Sequence, residues 1–178
     1  MTQLTIEQKL SRARTQLLLN QPFFGTLCLR LKLVPMPNFP TMATDGQRLA
    51  YNPAFVEKLT AAELEGVLAH EVMHCALAHH CRCGDREAQL WNRAADYAVN
   101  PILIGTGMTL PKDALIDPSF AELSAEEIYA RLTKQGHHSR EAESPEQSSV
   151  QSATGGGGSN GSGQAPQTGS QEMHDKKR

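Results

Sequence analysis

Hydrophobic and polar positions alternate along this chain in ways that predict most of its elements. Ile6, Leu10, Ala13 and Leu17 recur at helical spacing, and Thr5 with Gln8 forms a capping box, so a helix is expected from Thr5 to about Asn20. Gln21-Pro22 is expected to end it. From Thr26 to Val34 the pattern changes period: Leu27, Leu29, Leu31 and Leu33 alternate with Thr26, Cys28, Arg30 and Lys32, which predicts a half-buried strand. Pro35, Pro37 and Pro40 then interrupt regular structure. Residues 41–51 read as a hairpin around the turn signal Asp45-Gly46. Asn52-Pro53 opens a short helix to Leu59. Thr60 and Glu63 form a second capping box before an apolar-sided helix expected to run from Ala61 to His80, with Leu64, Val67, Leu68, Val72 and Cys75 on its packed side. Gly84 suits a turn, and Asp85 is expected to cap the next helix, to about Ile104. Ser124 and Glu127 form a third capping box, for a helix to about Thr133. Together these elements predict an α+β fold: a small antiparallel sheet or hairpin packed on several helices.

The pattern stops after Lys134. Ser, Gly, Gln and Pro dominate the remainder, and Gly155 to Gly158 is a homopolymeric run. Such a stretch buries too little apolar surface to offset its chain entropy. One domain is therefore expected over 1–134, with a disordered tail or linker over 135–178. His137 and His138 in that tail are assigned no role. Hydrophobic residues are 39% of the 178, and the shortfall lies in the last forty. The formal charge of −2 supplies no global attraction to nucleic acid or an anionic membrane. No apolar run reaches membrane-spanning length, no signal peptide opens the chain, and Cys28, Cys75, Cys81 and Cys83 form no C-x-x-C pair. These features predict a cytoplasmic protein with reduced thiols.

Chemistry concentrates in the Ala61–His80 helix. His70-Glu71-Val72-Met73-His74 has the H-E-x-x-H pattern. Residues four apart share a helix face, so His70 and His74 can offer their imidazoles to one metal ion. Glu71 is placed to act on a water at that metal as a general base. Zinc is the expected ion, with a third ligand from elsewhere.

Several sources of that ligand present themselves. His80 has the spacing of the extended motif, but Leu77 stands where that motif has its helix-breaking glycine, and a continuous helix would carry His80 off the face. His79 is off the face too unless the helix ends early. Cys81 and Cys83 would suit a separate structural site better. Asp96 is the preferred candidate. It lies with Asn92 and Asn100 at i, i+4 and i+8, a polar stripe on a helix otherwise built for burial. A buried carboxylate requires a partner or a metal. Asn92, Asn100, His79 and His80 are then candidates for bonds that orient the ligands. Ala94, Ala95 and Ala98 would allow the two helices to approach closely. Tyr97, His79 and His80 remain open as donors to a developing oxyanion. In the hairpin, Arg48, Leu49, Ala50 and Tyr51 are expected to form an edge strand along which an extended peptide could pair.

Residues 70–79, the block Trp91-Asn92-x-Ala94-Ala95-Asp96-x-x-Val99-Asn100, and Leu123 to Tyr129 together resemble the bacterial putative metallopeptidase domain. The resemblance covers roughly residues 5 to 134. It implies a zincin-like α+β fold with His70, His74 and Asp96 near the metal, a peptide or protein substrate, and association with a MoxR-type ATPase. In that family the domain commonly precedes a von Willebrand factor A-like domain. The implied activity is zinc-dependent peptide hydrolysis. The competing expectation is a zinc-stabilised binding or regulatory module that is catalytically silent.

Overall fold

The computed structural model describes residues 4–142 and is α+β. Among these residues, seven α-helices accompany a three-stranded open sheet. Helix α1, Ile6–Asn20, begins at Thr5, whose hydroxyl accepts from Gln8 N while the Gln8 side chain accepts from Thr5 N. It buries Leu10, Ala13 and Leu17.

The next segment differs from the strand expected over Thr26–Val34. Residues Pro22–Arg30 form a helix, α2, and only Lys32–Pro35 is extended, as β1. Proline at the first helical position starts this helix rather than merely ending the previous one. The burial period decides the matter: Phe24, Gly25, Cys28 and Leu31 are buried at i, i+1, i+4 and i+7, while Leu29 is 49% exposed. A run of alternating leucines thus carried two periods at once, and packing against α1 selected the helical one. Gly25 enables that packing, since a Cβ there would collide with the Leu18 backbone of α1. Arg14 of α1 donates from Nη2 to the carbonyl oxygens of Cys28 at 2.8 Å and Leu31 at 3.2 Å, satisfying acceptors at the end of α2.

Strands β2, Met42–Thr44, and β3, Arg48–Tyr51, form the expected hairpin. Asp45 Oδ1 accepts from Gln47 N and Arg48 N, and Gly46 holds φ +86°, a conformation that favours glycine. The strand order is β1-β3-β2, with β1 parallel to β3 and β2 antiparallel to it. The sheet is therefore mixed rather than antiparallel. Arg48, Leu49, Ala50 and Tyr51 do not form an edge: β3 is hydrogen-bonded on both sides, because β1 occupies the side left open in a lone hairpin. The free edges belong to β1 and β2.

Helix α3, Pro53–Lys58, leads into α4, Ala61–Ala76, which opens with the Thr60–Glu63 capping box. Helix α4 ends sooner than His80. Leu77 is its C-cap, Ala78 adopts the left-handed conformation at φ 53°, and a short helix α5, His79–Arg82, follows in a new direction. Helix α6, Ala88–Gly105, is capped by Glu87 rather than Asp85; the Glu87 carboxylate accepts from Gln89 N and Leu90 N. After a 3₁₀ turn at Pro118–Phe120, α7 runs from Ala125 to Ala142, past the expected end at Thr133. The expected tail begins inside this helix, and its residues 143–178 lie outside the described residues. No helix among the described residues is long and apolar enough to cross a membrane.

The main core joins α1, α2, the sheet and the apolar side of α4 around Leu10, Leu17, Leu49, Leu68 and Val72, all fully buried. Ala94, Ala95 and Ala98 join two smaller apolar clusters. They meet Phe120, Ala125, Ile128 and Tyr129, so the small residues of α6 serve its contact with α7 and the segment before it. Substituting Gly25→Ala should lower stability by about 1–3 kcal/mol, because the added methyl meets backbone that cannot move aside. Gly105→Ala, with open space around its Cβ, should stay within about 1 kcal/mol of the parent. Urea unfolding midpoints of the two variants measure the contrast.

Candidate metal centre

Helices α4 and α6 run antiparallel along one wall of a cleft. Two contacts fix their register, His70 with Asn100 and His74 with Asp96, and the His79 carbonyl of α5 adds a third with Trp91 of α6. On α4, Val67, His70, Glu71 and His74 form one stripe at i, i+3, i+4 and i+7 that faces the cleft, while Leu64, Leu68 and Val72 face the core. The cleft encloses about 570 Å³. Its lining also includes Thr41, β2, and Leu110, Pro111, Asp113, Ala114 and Leu115 of the segment after α6.

Three side chains meet at its floor. His70 Nε2 and His74 Nε2 are 2.8 Å apart, and Asp96 Oδ1 lies 3.3 Å from the first and 3.2 Å from the second. Among the described residues, His70, His74 and Asp96 make the only group of three or more histidine, cysteine or acidic side chains close enough to share one ion. Cys81 and Cys83 join no such group; the Cys83 thiol instead donates to the Arg86 carbonyl at 3.6 Å.

Hydrogen bonding behind the cluster determines which atoms face into it. The Leu115 carbonyl can only accept, so the Asn100 amide must turn its NH2 group there, at 2.9 Å. Asn100 Oδ1 then faces His70 Nδ1 at 2.9 Å, and His70 must donate. The neutral His70 ring therefore points a bare Nε2 lone pair at Asp96. His74 makes a parallel contact, its Nδ1 lying 3.1 Å from His79 Nδ1. When His74 donates that hydrogen, its Nε2 is also bare. Two imidazole lone pairs and a carboxylate oxygen then converge with no hydrogen among them. That arrangement repels itself unless a proton or a cation fills the gap, and two imidazoles with one carboxylate are a donor set that zinc accepts. The residues present fit a metal ion.

Electrostatics of the metal-free cluster agree. Burial works against the charged form of His70, yet the Asp96 and Glu71 carboxylates outweigh it and raise its pKa. Burial also opposes the Asp96 carboxylate, but bonds to His70 and His74 hold its pKa down at about 2. Glu71 is 7% exposed beside this pair, and burial pushes its carboxyl group up despite both histidines. A carboxylate whose proton affinity is raised in this way is suited to take and return a proton.

The early end of α4 positions His79. The left-handed Ala78 turns the chain so that His79 is buried behind His74 rather than carried round the helix. Trp91 Nε1 donates to the His79 carbonyl at 3.0 Å, and its ring meets the imidazole edge-on. Arg82 ties α5 down, donating from Nη1 to Leu77 O at 2.8 Å and forming a two-pronged ion pair with Glu126 of α7. His80 is exposed, lines the cleft, and lies against Gly46 at the hairpin tip. Asn92 lines the cleft from an exposed position and is not in the cluster. Tyr97 packs on Phe120 at 5.0 Å and does not line the cleft. Arg48 pairs with Asp45 at the hairpin turn.

Some participants were not read from sequence. Val67 could have been, since it sits one turn before His70 and Glu71 on the same stripe. Leu115, Arg82 and Glu126 carry no local signal, because they act through a carbonyl oxygen or a partner 44 residues away.

The family model described as a putative metallopeptidase domain matches residues 5–178. Comparison with curated proteins and with solved structures found no match to either.

His79 should remain neutral in metal-free protein well below the usual histidine range. Burial first, then the charges of His74 and Arg82, bring its pKa to about 4. A base whose folded pKa is depressed contributes stability above its unfolded value near 6.5, and loses it as pH falls toward 4. Imidazole NMR titration should find one ring titrating near the low value, and His79→Gln should remove that signal and flatten the acid limb of the stability profile.

Proposed function

The chain belongs to the putative metallopeptidase domain family, and from that premise we propose that it is a zinc-dependent peptidase acting in the cytoplasm. The observation that carries this reading is the convergence of His70 Nε2, His74 Nε2 and Asp96 Oδ1 beside the buried Glu71 at the floor of an open cleft. His70, His74 and Asp96 would hold the ion. When bound, zinc supplies Lewis acidity, lowering the pKa of water and polarising a peptide carbonyl.

The remaining work falls to the chain's own residues. Glu71 accepts a proton from the attacking water and returns it to the leaving nitrogen. Asn100 and His79 hold the His70 and His74 rings with their Nε2 atoms inward. The free edge of β2 borders the cleft and offers unpaired backbone groups, so an extended peptide could add there as a further strand. The four cysteines are unpaired, which fits a reducing compartment. A MoxR-type ATPase remains the partner that the resemblance implies.

Elemental mass spectrometry on purified protein should find about one zinc per chain in the wild type, and little in Asp96→Ala. Asn100→Ala should keep the fold but weaken zinc affinity by about 10–100-fold, because His70 loses the bond that fixes its ring. Glu71→Gln should retain zinc while peptide turnover drops by about 10²–10⁴-fold. Full zinc in Asp96→Ala would overturn the ligand set; unchanged function in Glu71→Gln would replace the peptidase reading with a catalytically silent zinc module.

A further inference from the structure

The lining of the cleft is chemically lopsided. On one side of the histidine–aspartate cluster stand Met42 and Val67 of the main core, with Phe55 and Leu110 packed against it; the exposed Asp113 lies on the same segment as Leu110. Leu115 adjoins them, since its carbonyl holds Asn100 and Asn100 holds His70, at the N-terminal end of the α4 stripe. Gly66 keeps this wall close: a Cβ there would collide with the Thr109 carbonyl, so the segment carrying Leu110 lies directly on α4. On the other side, past His74, the lining passes to Cys83 and Trp91, which belong to a separate cluster, and to the exposed His80 and Asn92. Because α4 and α6 are antiparallel, these two linings lie at opposite ends of the cleft, with Glu71 and the three convergent atoms between them.

We propose that the apolar end is a specificity pocket that takes a bulky apolar side chain, leucine- or phenylalanine-like, adjoining the bond to be cleaved. The opposite end, open and polar, leaves the residue across that bond loosely selected. The inference rests on the peptidase reading and adds the substrate class to it. Two observations support the occupant. The pocket is continuous with the cluster, so a side chain filling it brings its own backbone carbonyl to the cluster. The β2 edge that would pair with that backbone contributes Met42 to the same lining. Burial of a leucine-sized side chain gives roughly tenfold or greater selection against small or polar residues. Ala114, partly buried in this end, determines how much room remains.

The test uses full-length zinc-loaded protein and a series of N-acetyl amino-acid hydroxamates, which anchor on zinc whether or not the protein turns over. Calorimetry should show the leucine and phenylalanine members binding at least about tenfold more tightly than the alanine, serine and aspartate members. Ala114→Phe, which fills the apolar end, should erase that preference, and Leu115→Ala, which keeps the backbone carbonyl, should weaken the leucine and phenylalanine members while leaving the alanine, serine and aspartate members unchanged. Equal affinities across the series in zinc-bound wild type would overturn the pocket and leave the metal centre standing. Failure of every hydroxamate, together with absence of zinc, would overturn both. Tighter binding of the polar members would reverse the assignment of the two ends.

Discussion

Two imidazole nitrogens and a carboxylate oxygen brought together at one point form the constraint around which the rest of the chain is arranged. His70 Nε2, His74 Nε2 and Asp96 Oδ1 lie within 3.3 Å of one another. Such a group is unstable alone, in the same way that any buried unpaired polar atom is. It persists because each histidine is held from behind by a bond to its Nδ1. Asn100, itself fixed by the Leu115 carbonyl, holds His70, and His79 holds His74. The inward lone pairs are then an available site for a cation, and the metal-free protein relieves the repulsion by raising the proton affinity of His70.

The supports extend outward in layers. His79 can reach His74 only because α4 stops at Leu77 and Ala78 turns left-handed. That turn is tied down by Arg82, which bonds the Leu77 carbonyl and clasps Glu126, and by the Trp91 indole on the His79 carbonyl. The Arg82–Glu126 pair is about one-third exposed, so its direct electrostatic worth is at most about 1 kcal/mol. Its weight lies in geometry, since two parallel bonds define the angle of α5 against α7. Helix α6 thus serves two neighbours. Its polar stripe faces the cleft, and its alanine face packs on α7 and the segment before it.

The same architecture leaves the cleft asymmetric. One end continues the main core and is apolar; the other opens onto exposed polar side chains of α5 and α6. The strand bordering it is β2, because β1 has covered the far side of β3. A site assembled at the meeting of a core and a helical rim in this way offers an apolar surface, backbone groups for pairing, and a buried carboxylate within one cavity.

Local sequence determined the elements whose signals lie within a few residues. Three capping boxes start α1, α4 and α7 where Thr5, Thr60 and Ser124 place them, and Asp45-Gly46 makes the hairpin turn. Helical spacing alone put His70, Glu71 and His74 on one face, and the stripe of Asn92, Asp96 and Asn100 marked the polar side of α6. Tertiary structure decided the remainder. The leucine run at 26–34 satisfied two periods, and only contact with α1 through Gly25 made its first part helical. The edge of the sheet depended on where β1 paired. The end of α4 depended on Arg82 and Trp91 holding the turn at Leu77–Ala78, and it changed His79 from a residue off the helix face to the one behind His74. Interactions that span four residues are written in the pattern of the chain. Those that join carbonyls, rings and ion pairs across dozens of residues exist only once the chain has closed around them.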